Sequence, residues 1–149
     1  MKYLFLLLSF SCFAQKSNNP ELARQLLNSF ISQSEARGIE VVERLNTINE
    51  IIFLPGENSH VHKAGKCTIR IDIKKHQSKE EIKRATYHEI GHHLNLDHCI
   101  YCSYNIMAEI QDGKAVDLFE TKAIRNLYID IYFESIRNPK KYNEGHTHY

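Results

Sequence analysis

Between Tyr87 and Cys102 the chain reads YHEIGHHLNLDHCIYC, with four histidines, one glutamate, one aspartate and two cysteines in sixteen residues. No other stretch constrains the fold so tightly. Residues four apart on an α-helix face the same way, one turn above the other. His88 and His92 can therefore aim their imidazoles at one point, while Glu89 projects from the adjacent position. His98 comes six residues after His92. A continuing helix would carry it away, so the helix must stop between the two if all three are to meet. Asn95 marks the stop, because after Gly it is Asn that most readily takes the left-handed conformation ending a helix.

The chemistry of that arrangement is specific. HExxH on a helix supplies two zinc ligands and a general base. A catalytic zinc needs a further protein ligand and one open position for water. The spacing predicts His88, His92 and His98 as ligands of Zn²⁺ and Glu89 as the base. Random placement of the nine histidines and thirteen glutamates of this chain gives HExxHxxxxxH in about 3 of every 1,000 such chains, so scattered surface histidines explain it poorly. Asp97 and Glu109 are alternative third ligands.

Residues 78–107 resemble the metzincin clan of zinc metallopeptidases, whose signature is HExxHxxGxxH followed by a methionine turn. Asn95 stands where that clan has Gly, and Met107, nine residues after His98, falls where a methionine would underlie the metal. The His98-Cys99 pair, Cys102 and Met107 are also similar to archaemetzincins, but the cysteine spacing differs and no further CxxC follows. The resemblance implies a minimal zincin-like, metzincin-type α+β domain with a small mixed sheet, an active-site helix and a C-terminal helix. It implies an exported zinc-dependent endopeptidase in which His88, His92 and His98, the last in preference to Asp97 or Glu109, hold the ion and Glu89 moves the protons. It also implies a peptide or protein substrate lying along an edge strand, either near His60 to Lys63 or on CTIRIDI (67–73). Glu109 occupies the position where some members place a tyrosine. The rival from another class is a metal-binding or interaction protein on the same scaffold with little hydrolytic activity. Glu89 argues against it, since a pure binding site needs no base.

The N-terminal MKYLFLLLSFSCFAQ has one Lys, an apolar run and then Ala14, the layout of a secretory signal cut between Ala14 and Gln15. The run is too short for a stable membrane span. Residues 1–14 are thus expected to leave a single mature domain, 15–149, in the periplasm or outside the cell. A lipoprotein cut before Cys12 is disfavoured by the bulky Phe10. Almost nothing then precedes the first helix, so no folded pro-segment is expected. The formal charge of +1 gives no reason to expect nucleic acid or an anionic membrane as partner. The mature chain keeps Cys67, Cys99 and Cys102, which in an oxidising compartment suggests one disulfide and one odd cysteine. Cys67 could tie the last strand to the loop after His98, or Cys99 could pair with Cys102.

The remaining elements follow from pattern. Asn19-Pro20 is an N-cap with Pro at the first helical position. Leu22, Leu26, Phe30 and Ile31 then form an apolar stripe, and Gly38 suits the stop. IEVVERL (39–45) and EIIFL (50–54) read as strands, a short edge strand is placed near His60 to Lys63, and CTIRIDI alternates in period two. Ser78 and Glu81 form a capping box opening a helix through Leu94. Residues 99–113 read as irregular. A cap at Asp117 to Glu120 starts a last helix with Phe119, Ala123, Ile124, Leu127, Ile131 and Ile136 as its buried stripe, ended by Asn138-Pro139. KKYNEGHTHY (140–149) reads as a frayed end, and the pairs His60/His62 and His146/His148 as exposed loop and tail. Helix, strands, helix, loop, helix describes an α+β domain.

Overall fold

Asn19 opens the first helix as its sequence predicts. In the computed structural model of the chain its side-chain oxygen accepts from the Leu22 N–H at 3.2 Å, and Pro20 stands at the first helical position of α1, Pro20–Glu35. The buried stripe is Ala23, Leu26, Leu27, Phe30, Ile31 and Ser34. The Ser34 hydroxyl, sealed in that stripe, donates to the Ile31 carbonyl at 2.8 Å. Gly38 ends the segment with φ 67°, a left-handed conformation that costs glycine nothing. The structure describes residues 17–56, 58–63, 65–76, 78–99, 106–107 and 122–146, with side chains from 129 to 144 in the last stretch. The expected signal segment and its cleavage point, the cap at 117–120 and most of the 99–113 loop lie outside the described residues.

IEVVERL is not a strand. Val42–Leu45 forms a short helix, α2, in which the Leu45 N–H donates to the Val41 carbonyl at 2.9 Å. Its β-branched composition fits a strand, but Ile39 and Val41 are buried in the segment before the helix and Leu45 is buried by the helical turn itself. Tertiary burial overrides a propensity this weak. β1 then runs Ile48–Leu54, β2 Ser59–Lys63 and β3 Lys66–Asp72.

The sheet order is β1-β3-β2, with β1 parallel and β2 antiparallel to β3. Alternation puts Ile51 and Phe53 of β1, and Cys67, Ile69 and Ile71 of β3, into the core. Asn49 fills the irregularity between Ile48 and Glu50, accepting from the Cys67 N–H at 2.7 Å. The edge of β1 away from β3 meets the Asn18 side chain, which accepts from the Phe53 N–H at 2.9 Å and donates to the Phe53 carbonyl at 2.6 Å. One amide thus stands in for one residue of a strand.

The next helix, α3, is Lys79–His93. Its capping box is reciprocal. The Glu81 N–H donates to the Ser78 hydroxyl at 3.2 Å, and the Ser78 N–H donates to the Glu81 carboxylate at 2.8 Å. Tyr87 anchors α3 to α1. Its ring packs edge-on against Phe30 at 4.9 Å, Gln33 donates to its oxygen at 2.9 Å, and its hydroxyl donates to Ser29 at 3.1 Å. α4 is Lys122–Arg137 and α5 is Pro139–His146.

Among the described residues the chain is α+β, with five helices and a three-stranded mixed sheet. Two compact units divide at Ile90/Gly91, within the unbroken α3. No helix among the described residues is long and apolar enough to cross a membrane.

Two expectations for the C-terminal part are corrected. Ile131 does not belong to the buried stripe of α4, being 44% exposed, whereas Tyr132, Phe133 and Ile136 are buried. Positions 132, 133 and 136 share a helix face that 131 does not. Among the described residues the chain from Lys140 to His146 is helical rather than frayed. Asn138 caps α5 as Asn19 caps α1, its side chain accepting from the Lys141 N–H at 3.2 Å with Pro139 at the first position.

Candidate metal centre

α3 carries His88, Glu89 and His92 in its last two turns. The helix then stops by a Schellman motif. The Leu96 N–H donates to the Gly91 carbonyl at 2.9 Å and the Asn95 N–H to the His92 carbonyl at 3.0 Å. Asn95 has φ 68°, the one non-glycine residue with positive φ among those described. The left-handed asparagine expected from the sequence is thus what turns the chain.

The turn is clipped from α5. Asn143 donates to the Asn95 carbonyl at 2.9 Å and accepts from the Asp97 N–H at 3.1 Å. His98 then comes back to His92. Their Nε2 atoms are 3.0 Å apart, and the rings meet edge to face with centroids 4.5 Å apart. The ligand nitrogens of His88, His92 and His98 all lie within 4.8 Å of one another. Asp97 is exposed and is not in this group. Glu109, Tyr101 and Tyr104 lie outside the described residues.

The tautomer of His92 follows from its neighbours. A carbonyl oxygen can only accept, so Nδ1, 2.9 Å from the Leu96 oxygen, carries the proton. Nε2 is left with a lone pair directed at His98. A hydrogen bond that fixes the remote nitrogen in this way is the usual support of a metal-binding imidazole. Burial holds the His92 pKa below its ordinary value, with the charge of His98 adding to the effect, against the Leu96 carbonyl and Asp97. Both circumstances favour the neutral ring, the form that ligates. The three histidines can hold a metal ion.

Glu89 is 5% exposed, and burial pushes its pKa up to about 7. A carboxyl in that range exchanges protons with water near neutral pH.

Gly91, Tyr132 and Asn143 are not singled out by the spacing of the histidines, whereas Met107 is singled out by the resemblance. Met107 is fully buried. A Cβ on Gly91 would collide with its Sδ, approach its Cε to 3.2 Å and meet Tyr132 Cε2 at 3.3 Å. Gly in a helix interior costs about 1 kcal/mol against Ala, and that cost was the available signal of a close approach. The Cys99 N–H donates to the Met107 carbonyl at 2.8 Å, joining the methionine to the strand-like end of the His98 segment.

The cysteines correct one expectation. Cys99 is disulfide-bonded, whereas Cys67 is a buried thiol. A Cys67–Cys99 bridge is therefore excluded, and the partner of Cys99 lies outside the described residues. Burial pushes the Cys67 thiol up to about 11.

No family model, curated protein or solved structure matches the chain significantly.

Proposed function

We propose that the chain is an exported zinc-dependent endopeptidase on a minimal zincin-like, metzincin-type scaffold. The observation carrying this reading is the convergence of His88, His92 and His98 within 4.8 Å, with Glu89 buried beside the first of them. A tetrahedral ion with Zn–N bonds of about 2.0–2.1 Å separates its ligand nitrogens by about 3.3 Å. The His92–His98 separation of 3.0 Å is close to that. Three imidazoles as the ligand group among the described residues match catalytic zinc, which keeps one position for water, rather than structural zinc.

Bound zinc would supply a Lewis acid to a water and to the scissile carbonyl. The protein's own residues do the rest. Glu89 takes a proton from the attacking water and returns it to the amide nitrogen as the C–N bond breaks. A base that must also act as acid works best with a pKa near the working pH.

The peptide would lie along β2. β3, the other candidate, is paired on both sides, with β1 and with β2, and cannot accept another strand. β2 pairs with β3 alone among the described strands, which leaves one edge for β-augmentation. A disulfide at Cys99 supports an oxidising compartment and hence export.

The test uses the chain from Gln15 onward, loaded with zinc and incubated with a diverse peptide pool read by mass spectrometry. Glu89→Gln should retain wild-type zinc content and lose about 10²–10⁴-fold in cleavage. Zinc bound with no cleavage by either protein would favour a metal-binding module. No bound zinc in either would sink the metal site itself.

A further inference from the structure

The histidines of β2 are not in a loop. His60 and His62 are two residues apart on one strand, so they share a face of the sheet. Their rings lie edge to face with centroids 4.6 Å apart. Across the hairpin the register sets His62 directly opposite Cys67, and directly opposed residues in an antiparallel pair point to the same face. The ligand atoms of all three fall within 4.8 Å of one another. Cys67 is buried, His60 half-buried and His62 exposed, so the group runs from the core to the surface.

We propose that the β2–β3 hairpin is a second metal site, in which His60, His62 and the Cys67 thiolate bind Zn²⁺. The donor set decides the class of ion. A thiolate with two imidazoles is too soft for Mg²⁺ or Ca²⁺ and suits zinc. Binding displaces the thiol proton to solvent, and no redox change is involved. The site shares no residue with the His88–His92–His98 group. It does not depend on the peptidase reading and does not fall with it. Its consequence is mechanical: an ion held by both strands clips the exposed edge strand onto the centre of the sheet.

Cobalt(II) is the probe, because only a thiolate ligand gives it an intense near-ultraviolet charge-transfer band. The chain from Gln15 onward, stripped of metal and kept anaerobic without reductant, is titrated with Co²⁺. The band should appear in the wild type and persist in His92→Gln/His98→Gln. It should vanish in Cys67→Ser. In His60→Gln/His62→Gln the affinity read from the band should fall at least about tenfold, the smallest loss expected for true ligands when their outer-shell partners already cost that much. These two histidines sit on the half-buried to exposed edge strand, so that variant should keep its far-ultraviolet circular dichroism even if Cys67→Ser does not fold. Displacement of the band by one equivalent of Zn²⁺ is expected. A wild type without the band, or a band of undiminished affinity in His60→Gln/His62→Gln, overturns the proposal.

Discussion

Gly91 sets how closely the backbone of α3 approaches Met107. Its replacement by Ala brings two opposed effects. Helix propensity favours Ala by about 1 kcal/mol, while forcing a Cβ into a packed interior typically costs about 1–3 kcal/mol. Met107 is flexible in itself but fully buried, and Tyr132 closes the other side at 3.3 Å. Gly91→Ala is therefore expected to lose about 1 kcal/mol in denaturant unfolding. In a Met107→Ala background the same substitution should change sign and stabilise, because the colliding sulfur is gone. Destabilisation of equal size in both backgrounds would show that Met107 is not what Gly91 accommodates. Asn95 is the other residue whose backbone does the work. Its left-handed φ closes the Schellman bonds that turn His98 back to His92, and its helix-ending role was legible in the sequence because few residues tolerate that conformation.

At the level of elements, α5 has a task beyond covering the chain end. Asn143 holds both sides of the turn that follows α3, at the Asn95 carbonyl and the Asp97 amide. Exposed hydrogen bonds contribute about 1 kcal/mol or less each, so their loss should loosen the turn without unfolding the chain. Asn143→Ala is expected to weaken zinc binding at the histidine triad about three- to tenfold, with the far-ultraviolet spectrum unchanged. Competition with a chromophoric chelator measures it, and unaltered affinity would remove α5 from the site. This helix was missed although its signal, Asn138-Pro139, is the same one that correctly placed α1 at Asn19-Pro20. A dipeptide that ends one helix can also begin the next. α2 departs from its pattern for the opposite reason, since IEVVERL has the composition of a strand while Val42–Leu45 closes a helical turn that buries Leu45.

For the whole molecule, stability should depend on pH through the junction between β3 and α3. Asn58 accepts from the Asp72 N–H at 2.7 Å, so its amide nitrogen is the atom 2.7 Å from His76 Nε2, and that ring nitrogen must accept. His76 is thereby held neutral. Burial lowers its pKa from 6.5, and the Lys75 charge adds to this against Glu81 and Asp72. A histidine whose folded pKa is depressed contributes stability that is complete above the unfolded value, and loses it as pH falls through the folded one. Asp72 follows the same sign lower down. Burial would raise its pKa, but the backbone amides of Lys75, Lys74 and Gly56 outweigh that and hold it below 3.8. In chelator, the melting temperature of the wild type relative to that of His76→Gln should fall as pH drops below about 6.5, and the contribution of Asp72 is lost below about 4. The difference between wild type and His76→Gln isolates the first step, because Glu89 and the histidine triad contribute equally to both proteins. A His76→Gln curve parallel to wild type between pH 7 and 5.5 would exclude His76 as its cause. What the sequence by itself determined was local: the caps at Asn19 and Ser78, the alternation of β1 and β3, the helical pairing of His88 with His92, and the stop at Asn95. Each rests on dihedral preference or on a fixed period within a few residues. The tertiary structure alone decided that β3 is the central strand, that Cys67 faces His62 rather than forming a bridge to Cys99, and that Met107 lies against Gly91. These depend on strand register and on burial between residues far apart in the chain, where local preferences are too weak to choose.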